Sequence, residues 1–518
     1  MPELIKNYVK TSRIIPTETV RFVHDSDHAV PENMPDISYI LANDAAVTVD
    51  KISTESDRIT VDISIIYNIL YMNESELSEP QSLTVKTTHA VAVSAQGIDS
   101  DCICKVKCCA EQTEITNFTG RRFSVRCAVK CASNIESTSE LAIPIGIDGI
   151  SDIQTAEDPY TVSTTAESTT NYLDISEKVE LPLGKAAFKC LLKNDACISD
   201  ISFTTASNEL TVKGNLNVCT LYVAEDNSKT LQVIENQIPF SETIFIERDD
   251  DSVIWNVSAV LNSFSAEATE DNDGELRMLS VTAIIKIDAV AHETVAGKIL
   301  SDAYSLSQDF LLPTRQIDIY TKCNEVSSQF VLKTLASVPE EMPEISEIVS
   351  ITGQIGQTDV TSDEGYAVIE GIAICDILYI SKDSTKPIGA FSVQIPFTQQ
   401  VDRRDITASS VTDINLNINH TSFSILSPNE TEIRIAITAQ GEIMTPGTMT
   451  VITDISESSD RTVSRENQPS ILLYIVQPGD SLWKIAKRYN APIEILKSIN
   501  NIDDDMIMPG QKLFIPKG

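Results

Sequence analysis

The run Arg58-Ile59-Thr60-Val61-Asp62-Ile63-Ser64-Ile65-Ile66-Tyr67-Asn68-Ile69-Leu70-Tyr71 places an apolar side chain at every odd position from Ile59 to Tyr71. Successive strand side chains point to opposite faces, so this run reads as a strand with one face against a core. A slip of one residue would turn that whole set to solvent, so the phase is firmly specified. The same phase returns in Leu210, Val212, Gly214, Leu216, Val218 and Tyr222. It returns again in Ala367, Ile369, Gly371, Ala373, Cys375, Ile377 and Tyr379.

Landmarks on either side agree. Val30-Pro31-Glu32-Asn33-Met34-Pro35-Asp36-Ile37-Ser38 is echoed 308 residues later by Val338-Pro339-Glu340-Glu341-Met342-Pro343-Glu344-Ile345-Ser346, the offset that separates Tyr71 from Tyr379. An offset of 151 carries Asn43-Asp44-Ala45 onto Asn194-Asp195-Ala196, Pro31 onto Pro182 and Tyr71 onto Tyr222. Ile238-Pro239-Phe240 and Ile395-Pro396-Phe397 lie 157 apart, as Tyr222 and Tyr379 do. Asp158-Pro159-Tyr160 and Asp302-Ala303-Tyr304 give a shorter echo. Such agreement is the mark of internal repetition. The expectation is a mainly β chain of three tandem homologous β-sandwich or barrel-like domains, over 1–150, 151–310 and 311–445. The polar stretch over 446–471 reads as a flexible linker.

Composition narrows the function. At 518 residues the chain is too long for one core. Seventy-five Asp and Glu against 39 Lys and Arg leave a formal charge of −36. That charge argues against nucleic-acid binding, which needs a basic footprint, and against docking on anionic lipid. With 42% hydrophobic residues the chain can bury real cores, which argues against disorder. The N-terminus has no run of signal-peptide character, and no stretch of about 18 apolar residues suggests a transmembrane helix. Eleven irregularly spaced cysteines fit a reducing cytosol better than a disulfide framework.

After the polar stretch the texture changes. Tyr474 and Val476 alternate, and Pro478-Gly479-Asp480 is turn chemistry. Asp480 or Ser481 can cap a helix whose Leu482, Ile485, Ala486 and Tyr489 share one face. Pro492 suits the first turn of a second helix, and Lys512-Leu513-Phe514-Ile515-Pro516 closes as a strand. The reading is β-α-α-β. These residues resemble the LysM domain: Tyr-x-Val-x-x-Gly-Asp-Ser-Leu-x-x-Ile-Ala at one end, Pro-Gly-Gln-x-Leu-x-Ile-Pro at the other. The resemblance implies a small α+β domain over 472–518 with a shallow groove between two loops, used by many members to bind N-acetylglucosamine glycans. By position the loops are Pro478, Gly479, Asp480, Ser481, Leu482 and Trp483 on one side. Asn500, Asn501, Ile507, Met508, Pro509 and Gly510 form the other. Most of these positions also serve the fold, and Trp483 reads either as a groove or interface anchor or as helix packing. Residues 474–518 carry a balance of +1, leaving about −37 on the rest, a contrast taken to keep the module off its acidic body.

The three repeats resemble SPOCS domains of spore-coat proteins, and three SPOCS copies followed by one LysM are similar to the SipL-type clostridial spore-coat morphogenetic family. That resemblance implies an adaptor in the mother-cell cytoplasm, at the forespore surface. Its partner would be the coat basement-layer ATPase SpoIVA, with other coat proteins possible and LysM as the protein-binding module. The alternative is a glycan-binding protein that recognises peptidoglycan or cortex.

Catalysis finds little support. The five histidines share no repeated position or motif, and His24-Asp25-Ser26-Asp27-His28 reads as a polar loop. No phosphate-binding loop, nucleophile elbow or H-E-x-x-H occurs. Cys102, Cys104, Cys108, Cys109, Cys127 and Cys131 lack the C-x2-C pairs of zinc ribbons. Cys102, Cys104 and Cys108 map onto Val253, Trp255 and Ala259, so they read most simply as small hydrophobes of a β-core, with oxidative cross-linking and a metal as alternatives. No enzyme activity, cofactor or metal is expected.

Overall fold

The structure, a computed structural model, describes residues 2–15, 17–73, 79–99, 102–225, 231–248, 250, 252–383, 385–404, 406–457, 471–502 and 506–516. Strand takes up 76% of the chain and helix 3%. The first unit contains β1 (Glu3–Ile15), β2 (Val20–Ala29), β3 (Tyr39–Glu55), β4 (Arg58–Met72), β5 (Gln81–Ser94), β6 (Ile103–Thr119) and β7 (Arg122–Asp148). It has two antiparallel sheets: β3-β4-β5, and one in which β7 pairs with β1, β2 and β6. The second unit contains β8 (Ile153–Glu180), β9 (Phe188–Ala206), β10 (Glu209–Ala224), β11 (Leu231–Phe245), β12 (Val253–Glu270) and β13 (Leu276–Ser305). Its sheets are β9-β10-β11 and β12-β13-β8. After the two-residue β14 (Phe310–Leu311) comes the third unit: β15 (Thr314–Ser337), β16 (Ile345–Asp363), β17 (Tyr366–Ser381), β18 (Ile388–Asp402), β19 (Val411–Ser427) and β20 (Glu430–Ile452). Its sheets are β16-β17-β18 and β15-β20-β19.

The alternating runs are the central strands β4, β10 and β17. Ile59, Val61, Ile63, Ile65, Tyr67 and Tyr71 are fully buried, as are Leu210, Val212, Leu216 and Tyr222, and Ala367, Ile369, Ala373, Cys375, Ile377 and Tyr379. The repeated tyrosine does the same work each time. Tyr71 OH donates to Pro35 O (3.0 Å) and Tyr379 OH to Pro343 O (2.9 Å); Tyr222 OH donates chiefly to Gln232 Oε1 (2.9 Å) and lies 3.4 Å from the equivalent carbonyl, Ala186 O, so each polar tip inside the apolar core is satisfied. Each unit thus has its own core between its two sheets.

The three units also share cores. The long ribbons β1/β7, β8/β13 and β15/β20 run beyond their own sheets and converge. Val9, Ile143, Tyr160, Val162, Ile299, Ile319, Met449 and Val451 make one common layer, and Ile147, Ile150, Leu300, Ala303, Ile452 and Ile455 make the next. On another side Leu70, Met72, Leu192, Leu221, Val223, Leu378 and Ile388 join the other set of sheets.

Four sequence expectations change. β20 continues to Ile452 against β15, so residues 446–452 are strand; β21 (Ser456–Glu457) then pairs with β14, and residues 458–470 of the expected linker lie outside the described residues. Buried Met449, Val451 and Ile452, spaced unevenly in a polar context, hold that end of the strand. The segment from His24 to His28 is strand within β2, where His24 Nδ1 lies 3.0 Å from Tyr67 OH. Asp158-Pro159-Tyr160 and Asp302-Ala303-Tyr304 are not equivalent, for they lie on the paired strands β8 and β13 of one ribbon. Cys127 is a buried core residue, as expected, whereas Cys108 and Cys131 face each other across β6 and β7 and form a disulfide.

Candidate functional site

The C-terminal module consists of β22 (Ile471–Ile475), α1 (Leu482–Tyr489), α2 (Ile493–Asn500) and β23 (Lys512–Pro516). Val476, Leu482, Ile485, Ala486, Ala491, Leu496, Leu513 and Ile515 form its core. Two Pro-Gly turns build the ends of the loops. In the first, Asp480 N donates to Gln477 O (3.1 Å) with Gly479 at φ +88. In the second, Gln511 N donates to Met508 O (3.0 Å) with Gly510 at φ +87. Positive φ at the third turn position, with proline before it, demands glycine there. Gly510 N donates to Val476 O (2.8 Å) and Val476 N to Gln511 O (2.9 Å), which sets the two turns side by side.

The loop residues are mostly committed locally. Asp480 Oδ2 accepts from Tyr474 OH (2.7 Å) and from Gln477 N (2.8 Å), and these bonds hold its carboxyl below the ordinary carboxylate range. Ser481 is the N-cap of α1, its Oγ accepting from Lys484 N (3.2 Å). Leu482 is core. Asn500 Nδ2 donates to Leu496 O and Phe514 O, and its Oδ1 accepts from Phe514 N, stapling α2 to β23. Asn501 caps α2 in the left-handed region at φ 50. Ile507 packs on the core edge, and Met508 is 71% exposed. Pro478 to Ser481 and Ile507 to Gly510 therefore meet, whereas Asn500 sits at Phe514, farther along β23.

Trp483 belongs to a different contact. Its Nε1 donates to Asp302 Oδ2 (2.9 Å), and its ring meets Tyr304 edge-on at 5.1 Å between centroids. Lys487 Nζ lies 2.5 Å from Asp302 Oδ1, and buried Tyr304 donates to Ala491 O at 2.7 Å. The module is docked on the end of β13. Its positive helix face and the negative body attract, which reverses the expectation that charge keeps them apart. Asp302 and Tyr304 were visible in the sequence only as part of the false echo.

Comparison with known proteins places these modules. Residues 474–516 match the LysM domain, and residues 344–426 match the SipL SPOCS domain. The chain thus carries a SPOCS domain of the SipL kind and a LysM domain, both non-catalytic binding modules. The chain is similar to SpoIVD-associated factor A of Bacillus subtilis, at 48% identity over 46 residues, which are 8% of this chain and 12% of that protein. It is similar to the spore coat assembly protein ExsA of Bacillus cereus, at 48% over 46 residues, 8% of this chain and 7% of that protein. The putative sporulation-specific glycosylase YdhD of Bacillus subtilis shares 44% over 46 residues, 9% of this chain and 11% of that protein. The relatives that are enzymes match through the LysM region alone. The chain thus spans only a small part of these relatives. No solved structure matches. Among the described residues no helix is long and apolar enough to cross a membrane.

Proposed function

We propose that the chain is a non-enzymatic spore-coat morphogenetic adaptor, acting in the mother-cell cytoplasm at the forespore surface. It helps assemble and anchor the coat by binding the basement-layer ATPase SpoIVA. The three repeats form the scaffold, and LysM is a principal protein-binding module, its binding surface the outer face of the β22/β23 sheet together with the two turn loops at that sheet's end. The pairing of a SipL-type SPOCS domain with LysM supports this reading, as do relatives named for spore-coat assembly and for SpoIVD association.

The observation that carries it is the outer face of the LysM sheet. Ile471, Leu473 and Ile475 alternate with inward residues and are 56%, 52% and 49% exposed, with Phe514 50% exposed beside Leu473. A contiguous exposed apolar strip of this kind suits a protein partner. The test uses the full chain, with binding to purified SpoIVA and to soluble peptidoglycan fragments measured separately. Leu473→Asp and Phe514→Asp are expected to weaken SpoIVA binding tenfold or more (about 1.4 kcal/mol) with the fold intact by circular dichroism. Peptidoglycan binding without SpoIVA binding would overturn the adaptor and favour the glycan-binding alternative.

A further inference from the structure

Where the three ribbons leave their own units and before they reach the shared apolar layer, they enclose a polar layer. His292 from β13, Cys323 from β15 and Glu442 from β20 are all buried there, at 4%, 6% and 2% exposure. Their ligand atoms lie within 4.8 Å of one another. His292 Nε2 is 2.9 Å from Glu442 Oε2, and Cys323 Sγ is 3.6 Å from the same oxygen. We propose that these three side chains bind a divalent transition-metal ion of the zinc type, which ties the second unit to the third.

The donor set selects the ion class. Thiolate, imidazole and carboxylate together suit zinc or cobalt, whereas calcium and magnesium take oxygen ligands. Tetrahedral zinc with its usual bond lengths holds neighbouring ligand atoms roughly 3.3–3.6 Å apart. The sulfur–oxygen pair already has that spacing, and the nitrogen–oxygen pair reaches it by opening about half an ångström. Three protein ligands leave the fourth position to water.

The surroundings orient the ligands as a metal requires. Thr165 Oγ1 gives its proton to Glu136, so it accepts from His292 Nδ1, 3.5 Å away. With a proton on Nδ1 facing Thr165, the ring turns Nε2 toward Glu442 Oε2 and Cys323, the position from which it would ligate an ion. Without an ion a proton on Nε2 bridges His292 and Glu442 at 2.9 Å; a divalent ion would displace that proton and take its place. Asn256 Nδ2 donates to Glu442 at 2.9 Å, and Lys105 Nζ stands 3.8 Å from its other oxygen. A divalent ion and Lys105 balance the Cys323 thiolate, Glu442 and Glu136. Two bulges flank the site: Ala166 of β8 is the extra residue opposite Ala291/His292, beside Thr165, and Thr321 of β15 is the extra residue two positions before Cys323. Bulges re-aim neighbouring side chains.

The test takes the full chain purified without chelator. Elemental analysis is expected to find about one zinc per chain, or to find it after zinc is added and excess removed. Cobalt(II) in its place is expected to give a thiolate-to-metal charge-transfer band, displacing the Cys323 thiol proton. The band should vanish in Cys323→Ser and persist in Cys109→Ser and Cys197→Ser, whose cysteines are exposed. A strong chelator should lower the melting temperature of the wild type but not of His292→Gln. Metal-free protein that acquires neither zinc nor a cobalt band overturns the proposal on the wild type alone, whether or not the variants fold. A band that survives in Cys323→Ser overturns it too, by placing the ion elsewhere.

Discussion

At Gly214 the strand β10 has no room for a side chain: an added Cβ would stand 2.6 Å from Phe240 Cζ and 3.2 Å from Ser199 O. Gly371 is in the same position against Phe397 Cζ, at 2.8 Å. The aromatic ring fills the space its cross-strand glycine leaves, the pairing by which edge and barrel glycines are covered elsewhere. In the first unit the same pair is Ile63 opposite His89, a larger side chain on the central strand and a smaller ring beside it. Gly214→Ala is therefore expected to cost about 1–3 kcal/mol by overpacking, read as a lower urea midpoint. Adding Phe240→Leu should return part of that loss; no recovery would mean the backbone contact with Ser199, not the ring, sets the limit. The glycine was legible only as a gap in an alternating run. Its partner was legible as well, since the Ile-Pro-Phe landmark lies at the same offset, but no spacing rule shows that the two face each other.

At the scale of elements, the βααβ order and its turns could be read locally, because every contact that makes them spans a few residues. Docking of α1 on β13 could not, because Trp483 and Asp302 are 181 residues apart in sequence. Asp302→Ala removes a charged acceptor from Trp483 and Lys487, a loss of about 1.5–3 kcal/mol from the docked state. Trp483 emission should shift to the red and amides of α1 should exchange faster, while buried Trp255 keeps its environment. Unchanged protection in α1 would show that Tyr304 alone holds the module. The first loop should also respond to acid. Tyr474 OH and Gln477 N favour ionised Asp480, so its folded value lies below the ordinary 3.8. A depressed carboxylate contributes above its unfolded value and loses that contribution as pH falls through the folded one. Protection of the Gln477 amide is thus expected to hold at neutral pH and to fall below about pH 3.8, with no such step in Asp480→Asn.

On the scale of the whole molecule, three repeats need not have meant one body. The layers that join them are built from Val9, Ile143, Ile299 and Met449, which in sequence look like ordinary strand positions; only the convergence of the ribbons makes them interfacial. A half-buried charge marks one such junction. Lys193 of the second unit lies 2.6 Å from Asp44 of the first and 3.0 Å from Asp195, beside Asp376 of the third around a cavity of about 40 Å³. Burial works against its charge, but the two carboxylates more than offset that and keep it protonated. Asp44 and Asp195 are repeat equivalents, and Thr352 stands at the third site, so with Asp376 three acids and one lysine share the junction. Removing one partner of a half-buried ion pair leaves uncompensated charge and costs less than the ~3–5 kcal/mol of a fully buried one, whereas removing all of it can be close to neutral. Lys193→Met should therefore lower the urea midpoint of the full chain and separate the unfolding of its units. Lys193→Met with Asp44→Asn and Asp195→Asn should restore most of both. A single substitution that leaves unfolding within about 0.5 kcal/mol of wild type would mean the apolar layers alone hold the three units together.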